Sequence, residues 1–265
     1  VRRAALLAAG LAVASVFTAA FAPAMAWEKL EDGLEHAEFD GGAVTVLRAD
    51  PEKWELRVAS TKGNDAAENL TVREWCEREG FAVAVNAGMF AEDLLTHIGF
   101  LGCGGARAAR ANKYQSAAAF RPRRRGLPQF RIFDLDETPL AEVREDYECV
   151  VQNLRLIKRP GENRWSAQER RWSETALGED SAGRMLFIHC TEPRSMHDLN
   201  ETLLALPIDL VCAQHLEGGP QAQLVFRDGG GGTELVGGRE IPFARTGTPS
   251  SGWPVPSVLG IVRRR

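Results

Sequence analysis

The chain has 265 residues, is 44% apolar and 26% charged, and carries 36 acidic against 32 basic side chains for a formal charge of −4. That balance excludes a wholly disordered chain and a dedicated nucleic-acid binder, and it supplies enough apolar residues for one large core. Only five of the basic residues are lysine; the remainder are arginine, the residue suited to gripping an anion with two parallel hydrogen bonds.

Residues 1–26 carry Arg2 and Arg3, then the uncharged apolar stretch Ala4 to Ala22, then Pro23 and the small-x-small triplet Ala24-Met25-Ala26. This layout predicts a cleaved signal peptide; an uncleaved anchor is the alternative, because the stretch is about long enough to span a bilayer. No later apolar run reaches that length. The expected mature protein is therefore residues 27–265, exported to the periplasm or the cell exterior and free of the membrane. Its five cysteines, Cys76, Cys103, Cys149, Cys190 and Cys212, show neither a CxxC pair nor zinc-ligand spacing. An odd number leaves at least one thiol unpaired, and Cys212, inside an apolar run, reads as a small buried hydrophobe.

Two stretches share a plan. Thr71 and Glu74 form a capping box, a short helix stops at Gly80, and Phe81–Val85 reads as a buried strand that ends in Asn86-Ala87-Gly88-Met89-Phe90. Ser195 and Asp198 open a second helix to Pro207, and Ile208–Ala213 reads as a buried strand that ends in His215-Leu216-Glu217-Gly218-Gly219. Further short strands are predicted at 42–47, 54–60, 117–120, 129–133, 149–157, 185–189 and 222–226. Helices and strands in this mixed order favour an α+β fold, a single domain with a mixed, mostly antiparallel curved sheet flanked by several helices.

The two strand ends hold the candidate chemistry. Asn86 can donate and accept at once, which suits a sugar hydroxyl or a phosphate oxygen; equally, Asn86 and Gly88 can serve only to shape a tight turn. Glu217, desolvated at a strand end, would have a raised pKa fit for proton transfer; the bland reading is a hydrogen-bonded structural carboxylate. His97 follows the first turn closely. His215 stands two residues before Glu217, so a regular strand would point both to one side. A histidine alone is more often structural than functional. No ligand spacing indicates a metal, and a divalent ion is left open. The basic run Arg121–Arg125 reads as a solvated hairpin turn, and Asp134-Leu135-Asp136 lacks the glycine of a calcium loop.

Taken together, these segments resemble the phosphodiester glycosidase family from about Gly42 to Gly260. The Asn86–Phe90 turn resembles the family's Asn-Gly-Gly-Phe-Phe turn, and Gly99 its following glycine. Gln152–Ile157 resembles a short hydrophobic strand of the family, Glu174-Thr175-Ala176-Leu177-Gly178 an Arg-Thr-Ala-Ile-Gly piece, and Leu216–Pro220 a Leu-Asp-Gly-Gly-Gly turn. Glu174 stands where the family has Arg, Arg155 where it often has Pro, Glu217 where it has Asp, and Pro220 ends the glycine run. The resemblance implies a hydrolase cleaving a glycosyl phosphodiester or related glycosidic bond, with a carbohydrate or sugar-phosphate substrate. Glu217 and His97 are then the expected proton carriers, and Asn86, Gly88, Gly218 and Gly219 the expected substrate contacts. Arg155 and Arg171 are the candidates to replace the charge missing at position 174. Two other readings remain: a non-catalytic envelope protein that binds glycans, and a metal-dependent phosphodiesterase.

Overall fold

The computed structural model describes residues 27–63, 66–227, 231–242 and 251–265. The expected signal peptide and the glycines at 229 and 230 lie outside the described residues. The architecture corrects the expected α+β fold. Among the described residues the chain is dominated by β-structure in three antiparallel sheets, with only three α-helices.

The first sheet runs in the order β1 (Glu28–Glu31), β2 (Leu34–Phe39), β3 (Val44–Ala49), β14 (Met185–Arg194), β13 (Trp172–Asp180), β15 (Leu210–Gly218), β11 (Arg155–Lys158), β12 (Glu162–Asn163). The second has β7 (Ala106–Ala109), β6 (Leu101–Cys103), β10 (Tyr147–Asn153), β8 (Ser116–Pro122) and β9 (Phe130–Asp134). The third has β18 (Arg239–Pro242), β17 (Thr233–Val236), β16 (Gln223–Phe226), β5 (Val83–Asn86), β19 (Ser257–Arg263) and β4 (Trp54–Ser60). One apolar cluster draws on all three: Leu177 and Phe187 from the first, Val151 and Ile132 from the second, Val85 and Leu259 from the third. Burying that many aliphatic faces in one cluster is the main force holding the sheets together.

Each helix covers part of one sheet's other face. Helix α1 (Val72–Glu79) sets Trp75 and Cys76 against Ala84 and Val225, α2 (Leu140–Asp146) sets Val143 against Ala117 and Ala119, and α3 (Met196–Ala205) sets Leu199 and Leu203 against Leu186 and Ile188. The capping box of α1 forms as its sequence predicts: Thr71 Oγ1 accepts from the Glu74 amide at 3.2 Å and Glu74 accepts from the Thr71 amide at 2.8 Å. Gly80 ends it in the left-handed region at φ 67°. Helix α3 is capped by the Ser195 hydroxyl, which accepts from the Asp198 amide at 3.1 Å.

Cys103 and Cys149 form a disulfide between β6 and β10, while Cys76, Cys190 and Cys212 are buried thiols. No helix among the described residues is long and apolar enough to cross a membrane.

Candidate active site

The carboxyl end of β5 and that of β15 meet. Asn86, fully buried at the end of β5, donates through Nδ2 to the carbonyl of Gln221 at 3.0 Å and accepts through Oδ1 from the Gln223 amide at 2.7 Å. It thereby ties β5 to the 3-10 turn Gly219–Gln221 that follows β15. The two strand ends are neighbours, and the Asn86 amide is spent on the bracket that joins them.

Strand β15 continues well past its predicted end at Ala213 and contains His215, Glu217 and Gly218. Against β13 its register slips by one residue: Glu217 lies opposite Thr175, and His215 opposite Ala176. Leu216 is the extra residue of a β-bulge. Residues paired across a sheet share a face, and adjacent residues on one strand face opposite ways. Thr175 and Ala176 are adjacent, so Glu217 and His215 point to opposite faces. The bulge overturns the expectation from simple alternation and re-aims Glu217 with Leu216 toward the shared core side.

On the other face, His215 Nδ1 makes a close contact with Glu174 Oε1, and Trp172 Nε1 donates to Glu174 Oε2 at 2.7 Å. Burial works against a charged imidazole there, yet the Glu174 carboxylate, by charge and hydrogen bond, and Glu217 more weakly, raise the His215 pKa above its ordinary value. The glutamate at the family's arginine position is thus the counter-ion of a buried histidine. Trp172 also packs on Gly218, where an added Cβ would lie 2.5 Å from Trp172 Cδ1.

Glu217 itself is 7% exposed, and burial pushes its pKa up to about 7; the His215 charge and a 3.2 Å hydrogen bond from the Gly218 amide offset part of that rise, and Glu174 adds to it. At neutral pH the carboxyl is divided between acid and carboxylate, the condition for moving a proton in either direction. The Gly218 amide serves this carboxylate. Gly219 contributes its carbonyl to Ser173 Oγ, at 3.0 Å.

The Glu217 charge also acts on Tyr114, whose phenol pKa is raised by burial and then by that charge. Gln152 on β10 places it. Gln152 Nε2 donates to the carbonyls of Tyr114 at 2.7 Å and Asn112 at 3.1 Å, while Oε1 accepts from the amides of Phe100 and Asn112. The Gln152 carbonyl passes so close to Gly99 that a Cβ there would sit 2.5 Å from it, and Gly99 holds φ 114°. Both facts require glycine.

His97 is buried beside this wall and donates through Nε2 to the Gln152 carbonyl at 3.1 Å. Burial lowers its pKa to about 4, so the ring is neutral at pH 7. Its Nδ1 and the Oδ1 of Asn153 are buried without hydrogen-bond partners. Asn153 Nδ2 donates to the Ala87 carbonyl at 2.8 Å. Gly88 fits between the two rings of atoms: a Cβ there would lie 2.1 Å from Asn153 Oδ1 and 2.5 Å from His97 Cε1.

The two arginines go elsewhere. Arg155 Nη1 is held by Asp134 at 2.8 Å and Asp136 at 2.7 Å. Arg171, more than half exposed, pairs with Asp198 of α3 at 2.9 Å. Among the described residues no group of three or more His, Cys, Asp or Glu side chains is arranged to hold a metal ion. Thr175, Tyr114 and Gln152 were not among the expected site residues; Thr175 and Gln152 lay inside segments that the family resemblance had marked, and Tyr114 did not.

The structure resembles the zebrafish N-acetylglucosamine-1-phosphodiester alpha-N-acetylglucosaminidase catalytic domain auto-inhibited by its pro-peptide, with TM-score 0.60 and 14% identity over 87% of this chain and 82% of that one. It also resembles a hypothetical protein from Synechocystis, with TM-score 0.57 and 14% identity over 92% of this chain and 65% of that one. These likenesses establish the fold. No curated protein matches the sequence. The phosphodiester glycosidase family model matches residues 79–262, from the end of α1 to β19 and across every element of the site. Family membership gives a glycosidase-type hydrolase with a carbohydrate-type substrate: this chain belongs to the phosphodiester glycosidase family.

Proposed function

We propose that the chain is an exported hydrolase that cleaves a glycosyl phosphodiester or related glycosidic bond, with Glu217 as its proton donor. The observation that carries this reading is the position of Glu217: a buried carboxyl with its pKa pushed up to about 7, turned by a β-bulge away from His215, at a turn locked by Asn86. Glycosidic cleavage leaves positive charge on the sugar carbon and negative charge on the departing oxygen. A neutral Glu217 can protonate that oxygen, and the carboxylate left behind can take a proton from the incoming water. His215, its pKa raised by the Glu174 partner behind the strand, favours that carboxylate when protonated. His97 acts as a fixed wall of the site.

The test uses an N-acetylglucosamine-1-phosphodiester, the substrate class in the zebrafish enzyme's name, with release of free sugar as readout. Wild-type turnover is expected, with Glu217→Gln lowering it by about 10²–10⁴-fold. Equal turnover by a folded Glu217→Gln protein removes Glu217 from the mechanism.

A second reading draws on the arginines. A phosphodiester carries a full negative charge, and both Arg155 and Arg171 are committed to carboxylates. This favours a protein that holds an uncharged glycan without cleaving it. Saturable binding with no released sugar would support that reading over hydrolysis.

A further inference from the structure

Trp253 stands out among the six tryptophans. Trp54, Trp75, Trp165 and Trp172 each donate the indole N–H to an acceptor within the protein. Trp253 is 55% exposed, yet the backbone that carries it is fixed on both sides. Its carbonyl accepts from Gln223 Nε2 at 2.7 Å, and Gln223 is the fully buried residue whose amide donates to Asn86 Oδ1. Gly252, just before it, leaves no room for a side chain, since a Cβ there would lie 1.9 Å from Gln223 Oε1. Val255, just after it, bridges to Leu70 and accepts from Trp75 Nε1 at 3.1 Å.

The other large hydrophobics exposed among the described residues are Leu94 and Leu95. Asn69 Nδ2 donates to the Leu94 carbonyl, and Leu70, the next residue, pairs with Val255. The same loop is closed at its base by the Phe90–His97 bridge, where His97 is a wall of the site. The exposed apolar side chains therefore gather on two segments that adjoin the Asn86 bracket. A half-exposed indole carried on anchored backbone gains most from a partner that is apolar on one side and hydroxylated around its edge. A pyranose ring has that shape.

Resting on the carbohydrate reading of the Glu217 site, we propose that Trp253 is a stacking platform for a pyranose ring, forming a sugar subsite on the rim tied to Asn86 through Gln223. It would bind the ring through its C–H face and leave the hydroxyls to water.

The experiment uses full-length mature protein with Glu217→Gln, titrated with the methyl phosphodiester of N-acetylglucosamine and followed by calorimetry and tryptophan fluorescence. Trp253→Ala in that background is expected to weaken binding by about ten-fold, and Trp253→Phe to recover most of the loss. In the active protein Trp253→Ala is expected to raise KM with kcat nearly unchanged, because stacking on the ring's C–H face is made in ground and transition states alike. If the parent binds and Trp253→Ala binds equally within two-fold, the platform is wrong and the Glu217 reading stands. If the parent neither binds nor cleaves the probe, the carbohydrate reading of the site fails, and the platform with it.

Discussion

The hydroxyl of Thr175 donates to the backbone carbonyl of Glu217 at 3.1 Å, across a pairing one residue out of step with that of His215 and Ala176. This contact secures the bulge that turns the carboxyl inward. Burial of that carboxyl makes Glu217 a costly residue for the fold. Its pKa is raised from 4.5 to about 7, so the folded protein binds its proton more tightly than the unfolded chain does. Stability from this group is present below pH 4.5 and is lost as pH rises through 7. Glu217→Gln is expected to stabilise the protein by about 2–3 kcal/mol at pH 8 and by little at pH 4.5. Urea melts at the two pH values check this; equal shifts at both would show that the carboxyl is not desolvated. In the wild type, turnover by the acid form should decline above about pH 7, and a rate flat from pH 5 to 9 would contradict the assignment.

Behind the strand, the Glu174–His215 pair predicts a histidine that stays protonated above its ordinary range. Nitrogen NMR of His215 reads this directly. Its raised pKa contributes stability in full below the unfolded value of 6.5, and that contribution is lost as pH rises through the folded value. Glu174→Gln should therefore cost about 3 kcal/mol at pH 6 and less at pH 9, because it strands a buried imidazolium. An unchanged His215 titration in Glu174→Gln would refute the pairing.

Asn86→Ala removes both hydrogen bonds of the bracket: the buried Gln223 amide loses its Asn86 acceptor and the Gln221 carbonyl keeps only a long 3.5 Å bond from Gln223 Nε2. A loss of about 2–4 kcal/mol is expected, measured by thermal or urea unfolding, together with a fall in kcat as the Glu217 turn drifts. Wild-type stability with impaired substrate binding alone would instead make Asn86 a ligand contact.

His97 and His189 are buried and neutral, with burial lowering their pKa values to about 4 and about 3. Here the unfolded chain binds the proton more readily, so stability is complete above pH 6.5 and declines as pH falls. Each should remove about 2 kcal/mol by pH 5. His189→Leu is expected to flatten the decline of unfolding free energy between pH 7 and 5 by about that amount; an unaltered decline would show that His189 is not desolvated.

Much of this site was legible in residue order. The capping box at Thr71 and Glu74, the stop at Gly80 and the strand at 54–60 depend on neighbours in sequence, and they stand where the pattern puts them. Strand β13 escaped the pattern because it buries Glu174, Glu179 and Asp180, which look like surface residues until their partners are known. Those partners, His215, Arg159 and Arg184, come from other strands or from the far side of a turn.

By itself the sequence determined the local devices: the caps, the glycine turns and the apolar runs, because these follow from dihedral preference and side-chain periodicity over a few residues. Only the tertiary structure decided that three sheets share a core, that Asn86 is a clasp, that Arg155 and Arg171 are paired with carboxylates, and that Glu217 and His215 face apart. The physical reason is that a one-residue slip in register reverses every side chain beyond it, and the energy that favours the slip comes from groups distant along the chain.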